Sequence, residues 1–116
     1  RAPRPPRVVL RGAMNMDPAV KAKWVAALRS GAYAQGYGKL RTKDRYCSLG
    51  VLCKVLGLKI DRAGKYAMAP DGNFRPAIEV FPAHGLSMDA VEDLWEMNDL
   101  KGMTFVEIAD AIEKGD

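Results

Sequence analysis

Four segments of this chain place apolar residues at helical spacing, and the first follows a clear start signal. Asp17 is a typical N-cap residue, Pro18 suits the first helical position, and Gly31 ends the helix after Ser30. The apolar face of this segment consists of Val20, Trp24, Ala27 and Leu28. We therefore predict an amphipathic helix over residues 18–30, with Trp24 as an anchor in the core.

The most apolar segment predicts a second helix, from Ser48 to Leu56, with Gly57 as its C′ residue. Gly50 lies inside this helix, although glycine costs about 1 kcal/mol relative to alanine there. A glycine in so apolar a helix is typical of a close contact with another helix or with backbone. Cys47 and Cys53 lie too far apart along one helix for a disulfide, so we expect two buried, free thiols.

The last third of the chain predicts a pair of helices. Ser87 caps the first of them. Its inward face carries Val91, Leu94, Trp95 and Asn98. Thr104 and Glu107 form a capping box at the start of the second helix. That helix is predicted to bury Phe105, Ile108, Ala109 and Ile112.

Residues 64–76 predict a β-hairpin at about 66–75, because residues 70–73 (Pro-Asp-Gly-Asn) have the composition of a tight turn. Pro76 and Pro82 limit residues 77–81 to one helical turn or a short extended piece. The chain of 116 residues therefore predicts a small single domain of the α+β class over residues 17–116, mostly helical, with three or four helices and one short β-hairpin. The predicted core contains Trp24, Leu49, Leu52, Leu56, Leu94, Phe105 and Ile108.

Charge is unevenly distributed along the chain. The net charge of +4 equals the four arginines of residues 1–16, an Arg/Pro-rich arm without acids. We predict this arm to be flexible, an extension upstream of a start at Met14 or Met16, or an edge strand at residues 7–10. Residues 12–66 hold 11 Lys and Arg against three acids, and residues 67–116 hold three against 11. Either the two halves attract each other within the fold or they form two oppositely charged faces.

The sequence offers no convincing catalytic or metal-binding set. His84 is the only histidine and lies in a predicted loop, solvated or hydrogen-bonded, and neither cysteine has a partner base at motif spacing. A zinc site would need carboxylates or a second subunit. We therefore expect no enzyme activity, no metal and no cofactor. No apolar run approaches the ~20 residues of a membrane span, so we expect a cytoplasmic protein without membrane contact.

The candidate binding site is the loop of residues 35–45, in which cations alternate behind two glycines. Its candidate ligand-binding residues are Gln35, Tyr37, Lys39, Arg41, Lys43, Arg45 and Tyr46. Glycine amides beside cations can hold a phosphate, although neither a Walker loop nor a dinucleotide motif is present. A purely structural loop is the alternative interpretation.

On the structural interpretation, the candidate residues that shape the loop are Gly36, Gly38, Asn98 and Asp99. Asn98 shares a helix face with Val91 and Leu94, so its amide points inward and needs hydrogen-bond partners. The backbone of Gly36 and Gly38 can supply them. We further expect Arg41 to reach Asp99 and join the basic half to the acidic half.

Several segments together resemble one protein family. They are KWVAALRSG, QGYGKLR, RYCSLGVLC, LWEMND and TFVEIADAIE, and the resemblance covers residues 17 to about 113. The family they resemble consists of small, largely uncharacterised proteins encoded by tailed phages and prophages. The sequence departs from the family pattern at Ser48, where a second cysteine is frequent, and at residues 100–102, where small turn residues are usual. The resemblance implies a phage or prophage setting and carries over no catalytic residue.

The function we expect is that of a small non-enzymatic phage or prophage accessory protein. It would bind a host component, a protein partner, in counter-defence or host takeover. The alternative is a binder of nucleic acid or of a small phosphorylated ligand through the basic Gly-rich loop 35–45. The oligomeric state is left open.

Overall fold

The structure is a computed structural model that describes Leu10 and residues 15–114. This part of the chain contains five α-helices: α1 (Pro18–Arg29), α2 (Ser48–Leu56), α3 (Ala77–Val80), α4 (Met88–Trp95) and α5 (Phe105–Lys114). Five two-residue strands accompany them: β1 (Ala34–Gln35), β2 (Arg41–Thr42), β3 (Arg45–Tyr46), β4 (Ala67–Met68) and β5 (Phe74–Arg75). The predicted class, a small α+β fold that is mostly helical, is confirmed.

Helix α1 begins and is anchored as the sequence predicts. The Asp17 carboxylate accepts a hydrogen bond from the Ala19 amide at 2.8 Å, which is an N-cap contact. Trp24 is fully buried, and its indole N–H donates to the Ser48 carbonyl at 2.9 Å. That bond ties α1 to the first residue of α2. Helix α1 packs most extensively against α5 and α2.

Helix α2 occupies the predicted residues, and Gly57 ends it in the left-handed region with φ 72°. The N-cap is Cys47, whose sulfur accepts from the Gly50 amide at 3.4 Å. The predicted close contact of Gly50 is present, because a Cβ at this position would collide with the Leu40 carbonyl. The backbone immediately before β2 therefore packs directly on α2.

A three-stranded sheet, which the sequence analysis did not predict, lies between α1 and α2 in the chain. Strand β3 pairs in parallel with β1 and antiparallel with β2. A two-residue turn joins β2 to β3, and Lys43 in that turn has a positive φ of 57°. Each strand has only two residues, so no alternation of apolar and polar positions marks it in the sequence.

The predicted hairpin is present as β4 and β5, and α3 confirms the predicted single helical turn after Pro76. A 3₁₀ turn, Phe81–His84, leads from α3 towards α4. Helix α4 begins at its predicted cap, because the Ser87 hydroxyl accepts from the Ala90 amide at 3.1 Å. The capping box of α5 is also confirmed, since the Thr104 amide donates to Glu107 at 3.0 Å and the Glu107 amide donates to Thr104 at 3.2 Å.

The core lies where α1, α2, α4 and α5 meet. Its largest fully buried apolar side chains are Trp24, Phe81, Leu28, Leu52, Leu86, Leu94, Met97, Ile108 and Ile112. Two predictions about burial are wrong. Trp95 is 47% exposed, because it lies about 100° around the helix from the inward Leu94. Leu56, in the last turn of α2, is only half-buried.

Most of the predicted arm lies outside the described residues. Of the predicted edge strand at residues 7–10, only Leu10 is described. Leu10 and Met16 are buried in the core. The Asn15 amide donates to the Gly85 carbonyl at 2.7 Å. The boundary predicted at residue 17 therefore remains a prediction.

An ion-pair contact joins the basic and acidic halves of the chain. The Arg29 guanidinium on α1 contacts Asp110 at 2.6 Å and Glu113 at 3.1 Å on α5. Hydrogen bonding to Arg29 lowers the pKa of Glu113. At this place, opposite charges attract each other within the fold.

Candidate functional site

Asn98 organises the start of the 35–45 loop. It is fully buried, and its Nδ2 donates to the Gly36 carbonyl at 2.9 Å and to Asp99 Oδ1 at 2.7 Å. Its Oδ1 accepts from Gln35 Nε2 at 2.9 Å, and that nitrogen also donates to the Met103 carbonyl at 2.8 Å. Both amide protons of Asn98 and its carbonyl oxygen are therefore paired, as a buried amide requires.

A wide helical turn brings Asn98 into this position. Helix α4 continues as a π-helical turn over Glu96–Leu100, in which the Lys101 amide donates to the Glu96 carbonyl at 2.9 Å. Such turns are rare in proteins, and those that occur are frequently found at functional sites. The turn buries Asn98 and places Asp99 beside the loop, where its Oδ2 accepts from the Gly38 amide at 3.0 Å.

The predicted contact between Arg41 and Asp99 is wrong. Arg41 Nη2 donates instead to the carbonyls of Asp61 and Arg62, at 3.1 and 3.4 Å. The reason is the backbone around β2, where the Arg41 amide donates to the Gly64 carbonyl at 3.1 Å. This pairing places the Arg41 side chain over the 61–64 turn, while Asp99 is paired with Asn98 and Gly38.

The structure does not bring the seven predicted binding residues together on one surface. Gln35 points inward to Asn98. Lys39 Nζ donates to the Ala63 carbonyl at 3.2 Å, and Arg45 donates to the Gln35 carbonyl at 3.4 Å. Lys43 occupies the tip of the β2–β3 turn, and Tyr37 is 56% exposed. Only Arg41 and Tyr46, which are cross-strand partners, line the same groove.

That groove, which we call the basic groove, has a volume of about 380 Å³. It is defined by Arg41, Tyr46, Lys54, Lys59 and Phe74. Tyr46 is half-buried and packs edge-on against Tyr33, with ring centroids 5.6 Å apart. Lys54, Lys59 and Phe74 could not be identified from the sequence, because only the fold brings α2, the segment after it and β5 next to β2.

A second groove, which we call the apolar groove, has a volume of about 320 Å³ and lies between α3, α4 and the loop. Its apolar residues include Leu40, Leu49, Ile78, Val91 and Trp95. Its charged residues are Lys39, Lys65 and Glu92. Trp95 and Ile78 are 47% and 38% exposed, so they present apolar surface to solvent. Trp95 could have been identified from its place at the edge of the apolar stripe of α4.

The two cysteines are buried and free, as predicted. Burial raises the pKa of Cys47 to about 11 and that of Cys53 to about 12. Both therefore carry their proton at neutral pH and are poor nucleophiles. His84 is half-buried, and its Nε2 has no hydrogen-bond partner in the described part of the chain.

The described residues contain no group of three or more His, Cys, Asp or Glu side chains that could hold a metal ion. Within the same residues, no helix combines the length and the apolar character needed to cross a membrane.

The comparisons with known proteins give one finding. The family described as a domain of unknown function (DUF8296) matches residues 16–66, just under half of the chain. This segment runs from the residue before Asp17 through α1, the three-stranded sheet and α2 to Tyr66. The chain is therefore similar to that family over the part that contains the loop. Nothing matches the chain among the curated proteins or among the solved structures.

Proposed function

We propose that this chain is a non-enzymatic accessory protein of a phage or prophage that binds a protein of its bacterial host through the apolar groove. The observation that carries the proposal is the exposure of Trp95, 47%, at the side of a formed apolar groove. Tryptophan is among the residues most enriched in the energetic centres of protein interfaces. Large apolar side chains exposed beside a groove are typical of interaction sites.

The size of the apolar groove favours a single side chain as its occupant. Its volume of about 320 Å³ is at the lower end of the ~300–1,000 Å³ typical of small-molecule sites. One large apolar side chain of a partner, packed between Ile78 and Trp95, fits this space. A peptide segment with one such anchor would leave the rest of its length on the surrounding surface.

The charges of the groove define the partner segment further. Lys39 and Lys65 both line the groove, against the single acid Glu92. An acidic residue close to the apolar anchor would therefore meet complementary charge. The proposed occupant is a segment of a host protein with one large apolar side chain and a neighbouring Asp or Glu.

Two observations support a binding function over an enzymatic one. The pKa values of both thiols are raised by burial, so neither is an activated nucleophile. Gln35, a loop amide that could position a substrate, is engaged with Asn98 and the Met103 carbonyl. The phage setting and the host partner rest on the sequence resemblance described above.

The test begins with capture of partners from host lysate and continues with the purified partner. The dissociation constant would be measured by calorimetry for the wild type, for Trp95→Ala and for Val106→Ala. Val106 is the matched control, because it is 51% exposed and lines neither groove. Loss of an interface centre costs about 2 kcal/mol or more, which is roughly 30-fold in affinity.

The expected result is weak binding by Trp95→Ala and unchanged binding by Val106→Ala. Changing an Asp or Glu beside the anchor of the partner to Asn or Gln should weaken binding to the wild type as well. Wild-type affinity of Trp95→Ala for the captured partner would overturn the proposed site.

A further inference from the structure

The basic groove concentrates positive charge from three separate parts of the chain. Arg41 is in β2, Lys54 is in the last turn of α2, and Lys59 is in the segment that follows. Among the described residues no Asp or Glu lines this groove. A concave surface lined by cations attracts anions and raises their local concentration.

The guanidinium of Arg41 is held in place by the protein. Its Nη2 donates to the carbonyls of Asp61 and Arg62, which fixes the orientation of the planar group. Among the described residues, both side-chain hydrogen bonds of Arg41 come from Nη2. Its Nε and Nη1 therefore remain able to donate to an anionic oxygen. A fixed guanidinium loses less conformational freedom on binding than a mobile side chain does.

Two aromatic rings line the same groove. Tyr46 is held edge-on by Tyr33, and Phe74, in β5, is 44% exposed. Aromatic side chains next to cations are the usual surface on which nucleic-acid bases and other flat rings stack. The volume of about 380 Å³ lies within the range of small-ligand sites and is larger than an isolated phosphate needs.

The end of α2 borders the groove, and its dipole disfavours an anion there. Two features offset this effect. The last carbonyls are capped, because the Leu58 amide donates to the Cys53 carbonyl at 2.9 Å and the Gly57 amide donates to the Lys54 carbonyl at 3.3 Å. Lys54 itself is a cation in the last turn.

We infer that the basic groove binds a small phosphorylated ligand that contains one flat ring, such as a mononucleotide. The phosphate lies among Arg41, Lys54 and Lys59, and the ring lies against Phe74 and Tyr46. This site is separate from the apolar groove, so it can be tested independently of partner binding.

The experiment uses four probes with the full chain: AMP, phenyl phosphate, adenosine and inorganic phosphate. Binding is measured by calorimetry and located by amide chemical-shift changes. AMP, phenyl phosphate or both should bind about tenfold or more tightly than adenosine and phosphate, with shifts at residues 54–60 and 74. The stronger of the two identifies a nucleotide or a simpler phosphorylated ring as the ligand. No binding of either at millimolar concentration overturns the inference.

Variants separate the groove from general attraction by positive charge. Lys54→Gln and Phe74→Ala should each weaken binding, whereas Lys43→Gln, at the exposed β2–β3 turn, should not. Equal weakening by Lys43→Gln and Lys54→Gln contradicts a defined site. A single-stranded oligonucleotide provides the remaining arm. If it binds with a steep salt dependence while AMP and phenyl phosphate do not bind, the ligand is nucleic acid and the inference is wrong.

Discussion

Replacement of Asn98 by alanine tests whether the buried amide holds the loop in place. Asn98→Ala removes the hydrogen bonds of Nδ2 to Gly36 and Asp99 and the bond accepted from Gln35. Asp99 is partly exposed and can bind water instead, and Gln35 keeps its bond to the Met103 carbonyl. The Gly36 carbonyl, in a buried residue, is left without its side-chain partner.

The expected loss of stability follows from that one group. An unsatisfied buried acceptor costs about 1–3 kcal/mol, and we predict a decrease of this size in the free energy of unfolding. Urea denaturation followed by circular dichroism measures it. Cys53→Ala is the comparison, because it removes a buried group that makes no side-chain contact of this kind, and it should cost less and leave partner binding intact.

Asn98→Asp sharpens the test. It keeps an oxygen towards Gln35 but faces the Gly36 carbonyl with a second oxygen, next to the Asp99 carboxylate. Burial and the like charge raise the pKa of the new carboxyl in the folded state. The penalty should be full above this raised pKa and should decrease as pH falls through it, because the protonated acid can donate to Gly36. If Asn98→Ala leaves stability unchanged but abolishes partner binding, Asn98 is a contact residue and the structural role is wrong.

Three further predictions concern the core and the thiols. Leu52→Ala should lower the free energy of unfolding by roughly 2–5 kcal/mol, because Leu52 is fully buried; a near-neutral result in chemical denaturation would show that α2 is not central. Ser48→Ala should raise the free energy of unfolding by up to about 1 kcal/mol, because the Ser48 hydroxyl is buried without a hydrogen-bond partner in the described residues. A lower melting temperature of the variant in thermal denaturation would contradict this. The stability linked to the raised pKa values of Cys47 and Cys53 is fully present below pH ~8.5, the usual thiol pKa, and is lost as pH rises through about 11 to 12. Both thiols are therefore protonated in the folded protein at pH 8, and labelling of the native protein with a thiol reagent should be slow at that pH.

The helices could be predicted from the sequence because their end signals are local. Asp17 lies two residues before the amide it caps, and Ser87 lies three residues before its own. Thr104 and Glu107 cap each other across three positions. A contact between residues so close in the chain requires no knowledge of the rest of the fold.

The three-stranded sheet could not be predicted in the same way. The parallel pairing of β1 with β3 joins Ala34 to Arg45, and it becomes favourable only once the intervening loop is folded. The same limit applies to the site. The inward direction of Asn98 follows from its spacing to Leu94, whereas the partner of Arg41 depends on the pairing of its backbone with Gly64. The two grooves likewise combine residues from distant segments.

The loop is also the link between the two grooves. Asn98 and Asp99 hold its glycines at Gly36 and Gly38, and the next residues, Lys39 and Leu40, line the apolar groove beside Trp95. Arg41 then lines the basic groove. The π-helical turn that carries Asn98 therefore fixes the position of residues 39–41, which line the apolar groove on one side and the basic groove on the other. Disorder in the loop should alter both grooves together.

The segregation of charge along the chain serves the fold only in part. The Arg29 contacts with Asp110 and Glu113 are exposed, and exposed ion pairs stabilise proteins little. Backbone carbonyls instead accept hydrogen bonds from Lys39, Arg41 and Arg45, which orients these side chains. Among the described residues none of the three forms an ion pair. The basic groove keeps its positive charge, because no Asp or Glu lines it among the described residues. The apolar groove has Glu92 of the acidic helix α4 as well as Lys39 and Lys65, so only its lysine side favours an acidic partner segment.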